Sequence, residues 1–397
     1  MCRSLCKVRK NGTIRKKKLI KFACCIVWNS NDELNKIFMK KKLLGKTPEE
    51  LRIVAAECGL PPYAGGQIAQ WLYKKRVRTI DQMTNLSKAG REKLSENYEV
   101  GAVEYADCQI SSDGTKKYLF PVSCAWSSAS GAVESATPGR VESSCVEAVM
   151  IPDQDRKTLC VSSQAGCKMG CRFCMTGRQG FHGNLSAADI LSQFISVDES
   201  LELTGTVFMG MGEPLDNYEN VRRAIEVLTA DWGFGWSPKR ITLSSVGIVP
   251  QLKRFLDETR CHLAISLHNP FPEERAGMMP VQKAYDLGEI LSLIRKYDFT
   301  GQRRVSFEYT MFAGWNDDKR HADALVRLLA GLECRVNLIR FHRIPDFPYD
   351  TSADKVIEMF RDRLNRAGIT STIRASRGED ILAACGMLAG KHSKTSS

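Results

Sequence analysis

Three cysteines lie close together near the middle of the chain. Cys167, Cys171 and Cys174 fall within the stretch AGCKMGCRFCMTG, with three and then two residues between them. Thiolates at such short spacing bind zinc or iron, and a structural zinc site or a complete iron-sulfur site takes four ligands. The spacing lets three thiolates meet three corners of a cubane cluster and leaves the fourth iron open for a substrate. A zinc site completed by a distant His or Cys is the alternative.

Seven short apolar stretches in the second half of the chain have the pattern of buried strands. They are TLCVSS, GTVFMG, RITLSS, HLAISL, RVSFEYT, RVNLIRF and TSTIRAS. Each is followed by a stretch of about ten to fifteen residues with helical periodicity, which predicts alternating strands and helices around a parallel sheet. Six or seven such units form a full or partial (β/α) barrel, so the predicted fold class is α/β.

Polar residues close several of these predicted strands. Chemistry in (β/α) barrels gathers at the C-terminal strand ends, so residues there are candidates for an active site. Those at or just beyond a strand end are Cys167, Glu213, Ser244, Ser266, His268, Asn337 and Cys385. Taken singly, His268 has the ordinary interpretation of a core or surface histidine, and Glu213 that of a carboxylate at a helix start.

A small helical unit is predicted ahead of the barrel, over residues 39–103. The segment KTPEELRIVAAECG has Thr47 as N-cap, Glu50 to complete a capping box and Gly59 as a stop. Two further segments with helical patterns are AGGQIAQWLYKKRV and SKAGREKLSENY. Their basic residues, close to Trp71 and Tyr73, are Lys74, Lys75, Arg76, Arg78, Lys88, Arg91 and Lys93. This face either grips an RNA backbone or is a solvated basic face, and the residues alone favour neither.

Amino-acid composition divides the remaining residues into four segments. Residues 104–146 are predicted to form a strand-rich linker, in which the Ser-, Ala- and Gly-rich residues 123–145 are a flexible loop inserted in a hairpin. Residues 147–390 hold the predicted barrel, and residues 391–397 a disordered tail. Residues 1–38 are predicted to be an extension without structure, since the MKKKLLGKTPEEL that follows them has the sequence of a natural start.

Charge and cysteine content limit the class of protein less than the motifs do. The net charge is +12, but residues 1–38 hold ten Lys and Arg against two acidic residues, which leaves +4 for the rest of the chain. The overall charge is therefore weak support for nucleic-acid binding. The 15 cysteines are scattered, which favours free thiols and a cytoplasmic location. An apolar run of about ten residues follows RKKKLIK and is too short to cross a membrane, so no membrane association is expected.

Seven motifs together resemble one known family. In order along the chain they are VEAVMIP, LCVSSQAGCKMGCRFCMTGRQGF, MGMGEPLDN, ITLSSVGIVP, AISLHNP, VNLIRFH and IRASRGEDILAACG. They are similar to motifs of the dual-specificity radical S-adenosylmethionine (SAM) methyltransferases, which act on adenine C2 in 23S ribosomal RNA and in transfer RNA. The resemblance runs from about Pro48 to Gly390 and includes the helical unit. Residues 1–38 and the 123–145 insertion depart from it.

This resemblance implies two cofactors and a set of site residues. Cys167, Cys171 and Cys174 would hold a 4Fe-4S cluster, whose open iron binds SAM. The residues that would contact SAM are Gly212, Glu213, Ser244, Ser266, Leu267, His268 and Asn337. Cys385 resembles the cysteine that becomes S-methylated, Cys160 the second cysteine and Glu147 the proton acceptor. A partial (β/α) barrel, two SAM molecules per turnover, a flavodoxin or ferredoxin as electron donor and a monomeric state are implied as well.

The family's chemistry explains why two cysteines outside the cluster are needed. Adenine C2 is electrophilic, so an ordinary methyl transfer, which requires a nucleophilic acceptor, does not work there. In the radical route a deoxyadenosyl radical takes hydrogen from the methyl on Cys385, and the resulting carbon radical adds to C2 and tethers the base to the protein. Cys160 then attacks the Cys385 sulfur and releases the methylated base as a disulfide forms. Taken alone, Cys160 is a buried strand cysteine.

Three other functions are weighed against this one. A sister group methylates C8 of adenine in ribosomal RNA and confers antibiotic resistance, and its motifs are nearly the same. A glycyl-radical activase and an iron-sulfur electron carrier are the alternatives from other classes. The pair Cys160 and Cys385 argues against both of these, since neither chemistry uses two further cysteines.

Overall fold

The computed structural model describes residues 40–123, 143–301 and 303–389. The predicted extension 1–38 and the predicted tail 391–397 lie outside these residues. So does most of the predicted inserted loop, including Cys124.

The helical unit at the start of the described chain contains three α-helices. They are α1 (Pro48–Glu57), α2 (Ala64–Ala69), which continues as a π-turn over Gln70–Lys74, and α3 (Lys88–Asn97). The predicted capping box of α1 is confirmed: Thr47 Oγ1 accepts from the Glu50 N–H at 3.3 Å, and Glu50 Oε2 accepts from the Thr47 N–H at 2.7 Å. Strands β1 (Lys41–Lys42) and β2 (Tyr98–Glu99) pair in parallel and join the two ends of the unit.

The remainder of the described chain contains twelve strands, ten of which form one sheet. The strands are β3 (Asp107–Ile110), β4 (Lys116–Ser123), β5 (Ser143–Asp153), β6 (Arg156–Cys160), β7 (Gln164–Gly166), β8 (Phe181–Asn184), β9 (Gly205–Phe208), β10 (Ile241–Ser245), β11 (His262–Ser266), β12 (Val305–Met311), β13 (Arg335–Arg340) and β14 (Thr370–Ile373). The sheet order is β14-β13-β12-β11-β10-β9-β6-β5-β4-β3, while β7 and β8 form a separate hairpin. From β6 to β14 all neighbours are parallel, and from β3 to β6 they are antiparallel.

Helices follow most of the parallel strands and cover the sheet. They are α4 (Met175–Arg178), α5 (Ala187–Ile195), α6 (Tyr218–Thr229), α7 (Val249–Glu258), α8 (Pro272–Met278), α9 (Leu287–Ile294), α10 (Lys319–Leu329) and α11 (Asp354–Arg366). Each longer helix buries one apolar stripe. In α6 that stripe includes Val221, Ile225 and Leu228, which share one helical face. The predicted alternation of strands and helices is confirmed from β6 to α11, but only the 3₁₀ turn Glu379–Ile381 follows β14.

The sheet curves into a partial barrel. Four strands separate β6 from β13 in the sheet order, yet Ile151 and Thr158 of β5 and β6 line the same cavity as Asn337 and Thr372 of β13 and β14. The two regions of the sheet therefore face each other. Within the described residues β14 pairs with β13 alone, so the barrel is open between β14 and β6.

Three sequence predictions differ from the structure. The predicted linker 104–146 supplies β3, β4 and the start of β5, which continue the barrel sheet rather than standing apart from it. Residues 143–145 of the predicted loop belong to β5, where Cys145 pairs with Pro121 of β4. Asn337 lies in the middle of β13 rather than at its end.

The helical unit packs directly against the barrel. The ring of Tyr73 contacts that of Trp232 at 5.5 Å between centroids, and the Arg76 guanidinium lies 4.2 Å from the centre of the Phe234 ring. Lys42 Nζ is 2.9 Å from Asp189 Oδ1 on α5. Two residues of the predicted RNA-binding face are thereby assigned to packing instead, because Tyr73 is fully buried and Arg76 is half-buried. No helix in the described part of the chain is long and apolar enough to cross a membrane.

Candidate active site

Nine of the predicted site residues line one cavity at the C-terminal ends of the parallel strands. They are Cys167, Cys171, Cys174, Gly212, Glu213, Ser244, Ser266, His268 and Cys385. We call this space the triad cavity. Because its walls come from strands β9 to β13, from residues that follow β14 and from the loop after β7, residues that are distant in sequence meet as the barrel prediction requires.

The loop that carries Cys167, Cys171 and Cys174, which we call the triad loop, is built on the β7–β8 hairpin. The Cys167 N–H donates to the Gly180 carbonyl at 2.9 Å, and the Cys174 N–H donates to the Cys171 carbonyl at 3.2 Å. Gly166 has φ +71°, and a Cβ there would lie 1.9 Å from the Gly180 oxygen. A glycine is therefore required where the loop leaves β7.

The three thiols form one electrostatic cluster that suits an iron-sulfur centre. Burial raises the pKa of Cys167 to about 12 and raises that of Cys171 well above its usual value, and the negative charge of Cys174 adds to both. Bound iron would hold all three as thiolates. In the described residues no three His, Cys, Asp or Glu side chains converge as ligands of one metal ion. A cubane takes each thiolate on a different iron, so a donor set of three thiolates fits the three protein-bound irons of a 4Fe-4S cluster.

Glu213 is a buried carboxylate beside the triad. It is 3% exposed, and burial raises its pKa to about 7. Its Oε1 accepts from the Leu215 N–H and its Oε2 from the Val246 N–H, both at 3.0 Å. The backbone of the preceding Gly212 has φ +97° and runs against Gln164. This geometry presents a buried carboxylate as an acceptor for a positively charged group at the wall of the cavity.

His268 is held as a neutral imidazole. Its Nδ1 accepts from the Thr310 N–H at 3.0 Å, so its proton lies on Nε2. Burial, together with the positive charge of Arg275, lowers its pKa to about 3. The residue takes a left-handed backbone conformation, φ 56°, and packs edge-on against Phe173. It can therefore donate a hydrogen bond into the cavity but does not act as an acid at neutral pH.

Arg275 is fully buried and fixes the strand ends that carry the predicted SAM contacts. Its guanidinium donates to the carbonyls of Leu267 at 3.1 Å, Ser266 at 3.0 Å and Val246 at 3.3 Å. Sequence analysis missed this residue because Arg275 follows two glutamates at the start of a helix, where a solvated side chain is the usual expectation.

Cys160 and Cys385 are neighbours with opposite exposure. Cys160 ends β6 and is 8% exposed, whereas Cys385 is exposed. Burial and, to a smaller extent, the nearby Cys385 raise the pKa of Cys160 to about 12, while Arg374 opposes both effects. Arg374, also missed by sequence analysis, lines the triad cavity and has its pKa raised chiefly by the charge of Cys385. All the described cysteines, these two included, are free thiols.

Four predicted site residues lie outside the walls of the triad cavity: Cys160, described above, and Leu267, Asn337 and Glu147. Leu267 is in the core, and its N–H already donates to the Glu308 carbonyl. The Asn337 amide donates to Glu308 Oε1 at 2.8 Å on the open side of the barrel. Glu147 is buried in β5, 3.3 Å from Lys117 Nζ, and its Oε2 accepts from the Ala389 N–H at 2.8 Å. Glu147 thus contacts the segment that carries Cys385.

Sequence comparison identifies this architecture. A model of the radical SAM superfamily matches residues 161–325, and one described as the ribosomal RNA large subunit methyltransferase N-terminal domain matches residues 41–100. A probable dual-specificity RNA methyltransferase RlmN of Porphyromonas gingivalis is 55% identical over 89% of this chain and 98% of its own length. The chain belongs to the RlmN family. A dual-specificity RNA methyltransferase RlmN of Syntrophus aciditrophicus is 40% identical over 86% of this chain and 94% of its own length.

A solved structure agrees with this RlmN assignment. A radical SAM methyltransferase from Sphaerobacter thermophilus superposes with a TM-score of 0.80 at 35% identity, covering 88% of this chain and 100% of that one. The partial (β/α) barrel with its N-terminal helical domain is therefore the fold of a radical SAM RNA methyltransferase. Membership of the superfamily implies a 4Fe-4S cluster and SAM, and the zinc interpretation of the triad is set aside.

Proposed function

We propose that this enzyme methylates C2 of adenine in 23S ribosomal RNA and in transfer RNA. The observation that supports it most directly is the pair Cys160 and Cys385 beside the triad cavity, since a buried thiol next to an exposed one provides both a resolving thiol and a methyl carrier. Methylation of adenine C8 in ribosomal RNA is the second candidate, because the enzymes that carry it out have nearly the same sequence motifs.

The triad cavity provides a binding place for both cofactors. Cys167, Cys171 and Cys174 would hold the 4Fe-4S cluster, with Glu213 accepting from the SAM amino group. The other SAM contacts that we propose are Gly212, Ser244, Ser266 and His268, together with Leu267 and Asn337 from outside the cavity walls. When bound, the cluster supplies one electron from a flavodoxin or ferredoxin to cleave SAM, which is chemistry that no side chain performs.

Cys385 carries the methyl group and then the base. It receives a methyl from one SAM molecule, and a second is consumed when a hydrogen atom is lost from that methyl, so two are used per turnover. The carbon radical then bonds to C2, Glu147 takes the C2 proton, and the one unpaired electron left on the base returns to the one-electron carrier, which leaves a closed-shell adduct. Next, the Cys160 thiolate attacks the Cys385 sulfur: an S–S bond forms, the S–C bond breaks, and the carbon leaves with the electron pair and is protonated. Reduction of the disulfide restores both thiols.

Anaerobic reconstitution followed by nucleoside analysis tests this function. Protein loaded with iron, sulfide, SAM and a reductant should convert an unpaired adenosine in a folded RNA to 2-methyladenosine, with little product from a plain duplex because the base must leave its stack. We expect the protein to act as a monomer in the cytoplasm. Formation of 8-methyladenosine would instead support the second candidate, and absence of any methylated adenosine would contradict both.

A further inference from the structure

A second cavity lies on the open side of the barrel. Its walls come from β5, β6, β13 and β14 and from residues 374–385. We call it the gap cavity, because it occupies the place where β14 and β6 face each other without pairing. It shares Ile339, Arg374 and Cys385 with the triad cavity, so Cys385 borders both spaces.

The gap cavity carries an excess of positive charge. Arg156, Arg374 and Arg377 line it, and Asp153 is the one acidic residue among its described lining residues. Both Arg156 and Arg377 face this single carboxylate, with Arg156 Nη2 at 2.6 Å and Arg377 Nη2 at 4.0 Å from its oxygens. Arg374 instead has Glu308 at 3.7 Å, on the wall of the triad cavity. Two guanidinium groups thus share one exposed counter-ion.

The position of Cys385 explains why a second space is needed. The thiol must approach SAM in one step and the target base in another, so the base needs a route to Cys385 that the bound cofactor does not occupy. The gap cavity meets the triad cavity at Cys385 and opens where the sheet is unpaired. A nucleotide that enters from this side reaches the thiol without crossing the cofactor site.

We propose that the RNA strand enters through the gap cavity, with Arg156 and Arg377 holding a backbone phosphate next to the target nucleotide. This inference rests on the proposed function. A guanidinium fork binds phosphate with two parallel hydrogen bonds, which a lysine does not provide. Exposed ion pairs such as Arg156 with Asp153 are weak, so a phosphate can replace the carboxylate. In the free protein Asp153 therefore occupies the place of the phosphate.

Binding of a stem-loop RNA with one unpaired loop adenosine tests the site. Fluorescence anisotropy at several salt concentrations should show weaker binding by the double variant Arg156→Gln with Arg377→Gln, and a salt slope that is smaller by about 0.7, the amount for the one phosphate that both arginines hold. The matched control is Arg361→Gln on α11. This arginine also pairs with one carboxylate and has a side chain 34% exposed, against 36% for Arg377. The control should bind like the wild type.

The variant Asp153→Asn should change the RNA affinity in the opposite direction, and its result does not depend on whether the double variant folds. Removing the competing carboxylate should tighten RNA binding by about two- to fivefold, as expected for the loss of an exposed ion pair. Unchanged affinity and salt slope in both the double variant and Asp153→Asn would overturn the gap-cavity site. A wild-type protein that failed to bind the stem-loop at all would contradict the proposed function together with it.

Discussion

The triad loop and the segment that carries Cys385 border the same cavity but are built differently. The triad loop is anchored on a β-hairpin and closes with a backbone hydrogen bond between two of its own ligands. The segment after β14 has one 3₁₀ turn, and Leu382 within it is 56% exposed and has φ 54°, a conformation that leucine rarely adopts. Its contacts flank the thiol: the Gly378 N–H donates to Asp113, and the Gly386 carbonyl accepts from Met175.

This difference matches what each region must do. A cluster needs thiolates at fixed corners, so its loop is shaped by glycines and backbone hydrogen bonds. A thiol that reacts in turn with a methyl donor, a base and a second thiol must be accessible to all three, and it lies on an exposed, irregular segment. Cys160, in contrast, reacts once and lies buried at the end of a strand.

Removing a triad ligand should have the largest effect. Cys167→Ala, Cys171→Ala and Cys174→Ala should each abolish the brown 4Fe-4S chromophore, because a cubane held by two thiolates has lost one of its three protein ligands. Iron and sulfide analysis after reconstitution measures this, with Cys261→Ala, a buried free thiol outside the site, as control. Stoichiometric zinc in the wild type, with no iron incorporated, would refute the cluster assignment.

A matched pair of glycines tests whether the triad loop is rigid. Gly166→Ala should lose most of its iron, since the new Cβ would overlap the Gly180 oxygen in a left-handed backbone. Gly180→Ala has the same sign of φ, +78°, but its Cβ would meet nothing within 4 Å. It should cost only about 1 kcal/mol of unfolding free energy and keep its iron. Equal iron content in the two variants would show that the loop adapts.

The resolving step should be faster at higher pH. Burial raises the pKa of Cys160 to about 12, so at neutral pH the thiol is protonated, and its thiolate fraction rises about tenfold per pH unit below that value. The RNA adduct on the wild-type protein should therefore decay faster as pH rises from about 7 to 9, measured by rapid quench and denaturing gels. A rate that stays flat over this range would mean that Cys160 is not the group that loses a proton.

The basic face of the helical unit should contribute least. Lys74, Lys75 and Arg78 are exposed there; Lys75 Nζ lies 3.5 Å from the centre of the Trp71 ring, and Arg78 pairs with Glu104. Reversing these three charges should weaken RNA binding in a salt-dependent way while SAM cleavage without RNA continues. The control is Lys253→Glu, an exposed residue of α7. An affinity at low salt equal to that of the wild type would make this a solvated face only.

The sequence revealed local features better than distant contacts. The capping box of α1, the seven parallel strands and the triad spacing depend on residues close in sequence, and all are present. The gap cavity depends on β5 and β14 meeting across a curved sheet, which no local pattern encodes. Arg275 was missed because its place after two glutamates predicts a solvated side chain, whereas its partners are carbonyls at the ends of two strands that no local pattern brings to it. The mid-strand position of Asn337 also follows from sheet register rather than residue type.

The state of Cys160→Ala protein isolated from cells tests the two-cysteine mechanism most directly. If Cys160 resolves an adduct between Cys385 and the base, this variant should accumulate RNA that survives denaturation and maps by mass spectrometry to the Cys385 peptide. Cys385→Ala should carry no RNA, and the wild-type peptide should carry about 14 Da more than the unmodified one, the mass of a methyl in place of hydrogen. Cys160→Ala protein free of RNA, with Cys385 unmethylated in every preparation, would contradict the mechanism even with the cluster in place.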